Sequence, residues 1–151
     1  MTTTIPNYQQ IVVAVDFSES SKIVAARALD IAQKSGAEIT LIHAVEYLSP
    51  LSFGDELIPS PDWLLVEEDL IKHGEKSLQA FAKEMGMDEV IKQVPSGPPC
   101  YEIVAAAKEK NADLIIVGAH GRRGLQRLLG STANSVINHA TCDVLAVRFQ
   151  Q

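Results

Sequence analysis

The sequence predicts an α/β domain built on a parallel sheet. Two patterns carry that expectation, and the composition permits it. Three short apolar runs, Ile11–Val15, Ile39–Val45 and Leu114–Val117, are rich in β-branched residues and apolar almost throughout. Such runs suit strands covered on both faces better than half-exposed hairpins. Segments with helical spacing of apolar residues lie between them, so strands and helices alternate. Alternation of this kind folds into a parallel sheet with right-handed crossovers. With 151 residues, 46% hydrophobic and 21% charged, the chain can bury one substantial core.

Taken in order, Ile11–Val15 is the first strand. Residues Ser20–Lys34 then set Ala25, Ala28, Leu29 and Ala32 on one helical face and Arg27, Asp30 and Lys34 on another, with Gly36 as the stop. Ile39–Val45 is the second strand. A longer helix starts near Ser60-Pro61, an N-cap followed by proline at the first helical position. Its stripe runs Leu70, Ile71, Gly74, Leu78, Phe81, Ala82, Met85 and ends by Gly86. Val90–Val94 and Val144–Phe149 are further strand candidates on either side of Leu114–Val117. Two more helices fall within Cys100–Lys110 and from Ser131 or Thr132 to about His139. Residues 1–151 are read as a single domain, with a frayed tail over 1–7 and a surface loop over 48–60, where Pro50, Gly54 and Pro59 sit.

Composition also excludes several classes. Charges such as Asp16, Arg27 and Asp30 break every apolar run well short of a membrane span of about 20 residues. The start, MTTTIPNYQQ, has neither the basic nor the apolar region of a secretory signal. Cys100 and Cys142 without a CxxC pattern make neither a disulfide scaffold nor a zinc site. The expected location is cytoplasmic. A net charge of −6 opposes general binding to nucleic-acid backbones. The charge is uneven, however. No Asp or Glu occurs from Leu114 to Cys142, where composition alone would put about three or four. Three of the five arginines, Arg122, Arg123 and Arg127, lie in that stretch.

Ligands of open α/β sheets bind at the carboxyl ends of the strands. The richest such end is the segment from Gly118 to Thr132, which holds four of the nine glycines. Glycine backbone can approach an anion closely and turn N–H groups toward it. Gly130-Ser131-Thr132 then opens a helix whose free N–H groups and positive dipole end suit phosphate oxygens. The plainer alternative is that the glycines turn the chain and Ser131 or Thr132 caps the helix. The acid-free surroundings favour the anion site. Arg122, Arg123, Arg127 and His120 are peripheral phosphate candidates that could equally face solvent. Asp16, at the end of the first strand, either accepts hydrogen bonds from a ribose or base or caps the following turn. His43, inside an apolar run, is expected to be a core histidine satisfied by a hydrogen bond. Cys142 reads as a small core residue. No GxxxxGK[ST], GxGxxG, Gly-x-Ser-x-Gly or HExxH motif is present, so no catalytic residue and no metal ligand is assigned.

Ile11–Ser18 (IVVAVDFS), Thr40–Val45 (TLIHAV) and above all Asp113–Arg148 (DLIIVGAHGRRGLQRLLGSTANSVINHATCDVLAVR) resemble the universal stress protein family over nearly the whole chain. The resemblance implies a doubly wound fold of five parallel strands, order 3-2-1-4-5. It also implies a nucleotide pocket marked G-x2-G-x9-G-[ST] in ATP-binding members. Gly118-x2-Gly121 fits that pattern, and eight residues separate Gly121 from Gly130. Carried over, Val15 and Asp16 would face the adenosine, and Ala44 would line the adenine pocket through its backbone. Gly118, Gly121, Gly130, Ser131 and Thr132 would hold ribose and phosphates.

The expected function is therefore regulatory or protective ATP binding in the stress response, with or without Mg2+, by binding rather than turnover. A slow ATP hydrolase or nucleotidyl transferase is one alternative. A dimeric interaction module whose pocket takes no nucleotide is another. With the implied strand order, Val144–Phe149 lies at a sheet edge, where unpaired N–H and C=O groups invite a two-fold homodimer unless another segment covers them. Neither nucleic acid nor membrane is an expected partner.

Overall fold

A computed structural model of the chain describes residues 7–46, 62–119 and 129–149. The elements are β1 (Gln10–Ala14), α1 (Glu19–Ser35), β2 (Glu38–Ile42), α2 (Asp62–Glu84), β3 (Ile91–Gln93), α3 (Pro99–Glu109), β4 (Leu114–Gly118), α4 (Ser131–His139) and β5 (Asp143–Val147). All strand pairs are parallel, in the order β3-β2-β1-β4-β5. The fold is the parallel sheet that the alternation of patterns predicts, doubly wound in the order that the resemblance implies. Most of the 1–7 tail, the 48–60 loop and the Ser60-Pro61 helix start lie outside the described residues.

Side-chain alternation divides the core in two. Ile11, Val13 and Val15 of the first strand, with Leu114 and Ile116 of β4, pack beneath Val24, Ala25 and Ala28 of α1 and Leu78, Phe81 and Ala82 of α2. Val12, Ile115 and Val117 face the other way, onto Ile103, Ala106 and Ala107 of α3 and Ala133 and Val136 of α4. A strand buried on both faces has no polar side to show, which is why its sequence is a continuous apolar run. Each fully buried Val, Leu or Ile contributes about 1.5–3 kcal/mol relative to exposure.

Several boundaries differ from expectation. The second strand ends at Ile42 rather than Val45, because β1 has already turned away beside it, although His43 N–H still donates to Gln93 O at 3.0 Å. Val45 then forms an isolated parallel bridge with Ser96. The last strand is Asp143–Val147 and excludes Arg148 and Phe149, since its partner β4 ends at Gly118, opposite Val147. On α2, Leu70 is 39% exposed. At 100° per residue it lies about 80° from Leu78, at the rim of the buried arc.

At the other end of the sheet, Asp113 accepts the N–H groups of Gln9 and Gln10, and the Tyr8 hydroxyl donates to Asp143 Oδ2 at 2.8 Å. Gly36, at φ +77, closes α1 in the left-handed conformation and donates its N–H to Ala32 O at 2.8 Å.

Gly74 is where α2 presses onto the ends of β2 and β3. A Cβ there would sit 2.9 Å from Val94 Cγ1 and 3.3 Å from Val45 Cγ2, both branched and packed. Gly74→Leu should therefore lower stability by about 1–3 kcal/mol through overpacking. The check is urea unfolding. An unchanged midpoint would mean that α2 is not in tight contact at this position.

Candidate functional site

β1 is the central strand, and it stops short of β4 on one side and of the chain that continues from β2 along β3 on the other. Its pairing with β4 ends at Val13–Ile116, and its last bond to β2 runs from Val15 N–H to Ile42 O at 3.0 Å. A cleft of about 170 Å³ opens above this end, with Val15, Asp16, Ala44, Gly118, Gly130, Ser131 and Thr132 in its lining. Those are seven of the eight expected ligand-facing residues. The eighth, Gly121, and the peripheral candidates His120, Arg122, Arg123 and Arg127 lie outside the described residues.

Backbone alternation tells which polar groups look into the cleft. His43 N–H and Val45 N–H are taken on the β3 side by Gln93 O and Pro95 O. The N–H and C=O of Ala44 must then turn to the opposite side, toward the space that β1 has left. No hydrogen-bond partner for them is found among the described residues. Ala119 N–H is likewise taken by Val147 O of β5 at 2.8 Å, so the N–H and C=O of Gly118 point back over the end of β1. Gly130 N–H donates to Ala119 O, which ties the start of α4 to the end of β4.

Three helix starts meet at the cleft: Ser20 and Ser21 of α1, Pro99 and Ile103 of α3, and Ser131, Thr132 and Ala133 of α4 all line it. The N-cap of α4 is Gly130, at φ −59 and ψ 154, and no side chain caps it. Glycine at this position is not needed for its backbone angles, which any residue adopts; it removes a side chain from the helix mouth. Ser131 is exposed and follows the cap, so it is not the capping residue that sequence allows as the plainer role.

Asp16 does cap the turn. Its Oδ1 accepts the N–H of Ser18 at 3.0 Å, the Ser18 hydroxyl, and the Ser21 hydroxyl at 2.8 Å. Ser21 Oγ in return accepts Asp16 N–H at 2.9 Å, which satisfies a hydroxyl that is otherwise buried. Because Asp16 also lines the cleft, the capping and ligand-facing positions are one place. Phe17 follows at φ +65, a left-handed conformation rare for a bulky residue. Its ring lies against His43, with centroids 4.2 Å apart.

His43 has the expected hydrogen bond, Nδ1 to Val15 O at 2.9 Å, but sits at the cleft rather than inside a strand. Sequence reasoning also missed the contribution of α3. The only signal for it was Pro98-Pro99 after Gly97, which marks a helix start at a strand end. The groups with displaced pKa lie away from the cleft's lining. Burial and the Asp143 carboxylate push the Cys142 thiol up, which lowers its thiolate fraction, and donation to Asp143 raises Tyr8. Glu84 and Glu19 raise Lys22, which links α1 to α2.

The universal stress protein family profile matches residues 7–148. The chain is 37% identical over 145 residues to universal stress protein A homolog 2 of Coxiella burnetii, covering 95% of this chain and 97% of that one. It is also 37% identical over 145 residues to a universal stress protein of Methanocaldococcus jannaschii, covering 93% and 82%. Among solved structures, UspA of Lactobacillus plantarum superposes with a TM-score of 0.74 at 24% identity over 95% of this chain and 99% of that one. A universal stress protein crystallised in complex with cAMP superposes at 0.59 with 28% identity, over 94% and 98%. No helix among the described residues is long and apolar enough to cross a membrane. The matched span, the identities and the sheet order agree: the chain belongs to the universal stress protein family.

Proposed function

We propose that this protein binds an adenine nucleotide, ATP in the first place, and serves the stress response by binding rather than turnover. One observation carries the reading: an uncapped helix start at Gly130-Ser131-Thr132 shares its cleft with the outward-turned backbone of Ala44. The first suits phosphate oxygens, and the second offers a donor beside an acceptor, as the edge of a nucleobase requires. A family member in complex with cAMP supports the same ligand class. In this reading Ala44 meets the base, Val15 and Asp16 the adenosine, and Gly118, Gly121, Gly130, Ser131 and Thr132 the ribose and phosphates. His120, Arg122, Arg123 and Arg127 are peripheral to the phosphates. Mg2+ would arrive on the phosphates, since no group of three His, Cys, Asp or Glu among the described residues could hold a metal ion.

Hydrolysis or nucleotidyl transfer would need a base and an attacking group near the phosphates. Asp16, the carboxylate in the cleft, has its Oδ1 committed to Ser18 and Ser21. Binding is the better reading. Two free cysteines and net charge −6 fit a cytoplasmic protein with no nucleic-acid partner. β5, the last strand of the sheet, pairs with its copy in a two-fold homodimer through the Val144–Phe149 segment.

Gly130→Lys should abolish ATP binding with the fold intact, because φ −59 admits any residue and the new side chain fills the phosphate path. Calorimetry tests it, and unchanged affinity would mean the phosphates lie elsewhere. Nucleotide extracted from the purified protein separates this reading from an interaction module with an empty pocket.

Asp16→Ala should weaken adenosine and ATP alike, by about 1–3 kcal/mol, since its contact is remote from the phosphates. It should also cost about 0.5–2 kcal/mol of stability through the lost cap. A stability loss with unchanged affinity would assign Asp16 to capping alone.

For the dimer, the structure selects the position to change. Val147 O accepts Ala119 N–H, so Val147 faces β4 and the Ala146 N–H faces the open edge. Proline is tolerated on an edge strand where its missing N–H would face outward. Ala146→Pro should thus dissociate the dimer without unfolding the protomer. Light scattering at micromolar concentration decides. A wild-type monomer would refute the dimer, and a dimeric variant would move the interface elsewhere.

A further inference from the structure

The hydrogen bonds between β1 and β2 follow the parallel pattern up to Val15 and then change donor. Val15 N–H donates to Ile42 O. In a parallel ladder a residue's N–H and C=O reach neighbours two apart on the adjacent strand, so the next bond would run from Ala44 N–H to Val15 O. That bond is not made. Val15 O is met instead by Nδ1 of His43 at 2.9 Å. A carbonyl oxygen only accepts, so the proton is on Nδ1. Two neighbours pack near the ring. Phe17 lies 4.2 Å away, centroid to centroid, and a Cβ on Gly74 of α2 would be 3.6 Å from His43 Cδ2, ordinary contact distance.

We propose that His43 is a positioning residue for the ligand. Its imidazole replaces the Ala44 N–H at Val15 O, ends the β1–β2 ladder one bond early, and keeps the Ala44 N–H available to a nucleobase acceptor. The ligand half of this proposal rests on the nucleotide-binding reading above. The ladder half does not. With the Ala44 N–H and C=O both facing the cleft, the matching partner is a base edge that presents an acceptor next to a donor, the amidine edge of an aminopurine.

The test is amide hydrogen exchange, read residue by residue by NMR, beside adenosine titration. In the wild type without ligand, the Ala44 amide should exchange faster than those of His43 and Val45, and adenosine should slow it. His43→Leu keeps the packing against Phe17 and lacks a donor. There the Ala44 N–H should close onto Val15 O, becoming protected without ligand, and adenosine affinity should fall about tenfold, the worth of one hydrogen bond. His43→Asn, whose amide N–H can take the place of Nδ1, should restore both fast exchange and affinity. A purely structural role would not produce added protection at one amide, nor its reversal by Asn. Ala44 exchange that is equal in wild type and His43→Leu would overturn the positioning role. Wild-type protein that shows the exchange pattern but does not bind adenosine would overturn the nucleotide reading and the ligand half, leaving the ladder half standing.

Discussion

The structure turns on a stagger of chain ends at the centre of the sheet. β1 must leave the plane after Val15 to reach α1, while on one side the chain after β2 stays bonded to the β3 side through His43 and Val45 and on the other β4 carries on to Gly118. Backbone N–H and C=O groups are obligatory hydrogen-bonding groups, and a fold that strands them must supply water or a ligand. Because the chain winds outward from β1 in both directions, no other strand among the described residues fills the gap. The same reversal brings the starts of α1, α3 and α4 around one opening. The cleft is a consequence of topology before it is a consequence of any side chain.

The sharp departure of β1 is costly, and the residues at the turn show how the cost is offset. Phe17 at φ +65 carries strain of about 1–3 kcal/mol. Against it stand the bonds from Ser18 and Ser21 to Asp16 Oδ1, the reciprocal bond from Asp16 N–H to Ser21 Oγ, and the contacts of the Phe17 ring with His43 and Phe81. Turn stability and site geometry therefore cannot be separated at Asp16. The carboxylate that holds the turn before α1 also lines the cleft.

Much of this was legible in the residues. The runs at Ile11, Ile39 and Leu114 are central strands buried on both faces, and burial on both faces is what removes polar residues from them. Gly36 and Gly86 ended their helices because a left-handed residue is cheapest there, at φ +77 and +69. Seven of the expected site residues meet because they lie at or after strand ends or at the start of α4, which Gly130 N–H ties to Ala119 O after β4. What was not legible depends on relations between distant segments. An apolar alphabet does not say where β1 departs, so β2 read three residues too long, and the exposure of Leu70 depends on how α2 crosses the sheet. His43 read as a core residue because its sequence neighbours are apolar. Its bond to Val15, 28 positions away, exists only once β1 and β2 are paired.

The charge pattern fits a small anion better than a polymeric one. A net charge of −6 repels an approaching polyanion, whose many phosphates sample the whole surface. A mononucleotide is different. Once its phosphates are within a Debye length of about 8 Å of the cleft, distant carboxylates are screened and local groups dominate. Locally, no acidic side chain occurs between Leu114 and Cys142, and α4 presents free N–H groups with the positive end of its dipole. The nearest carboxylate in the cleft, Asp16, sits at the β1 end and has its Oδ1 engaged by Ser18 and Ser21. The chain is thus acidic overall and free of acidic residues from Leu114 to Cys142, the stretch that includes the mouth of α4.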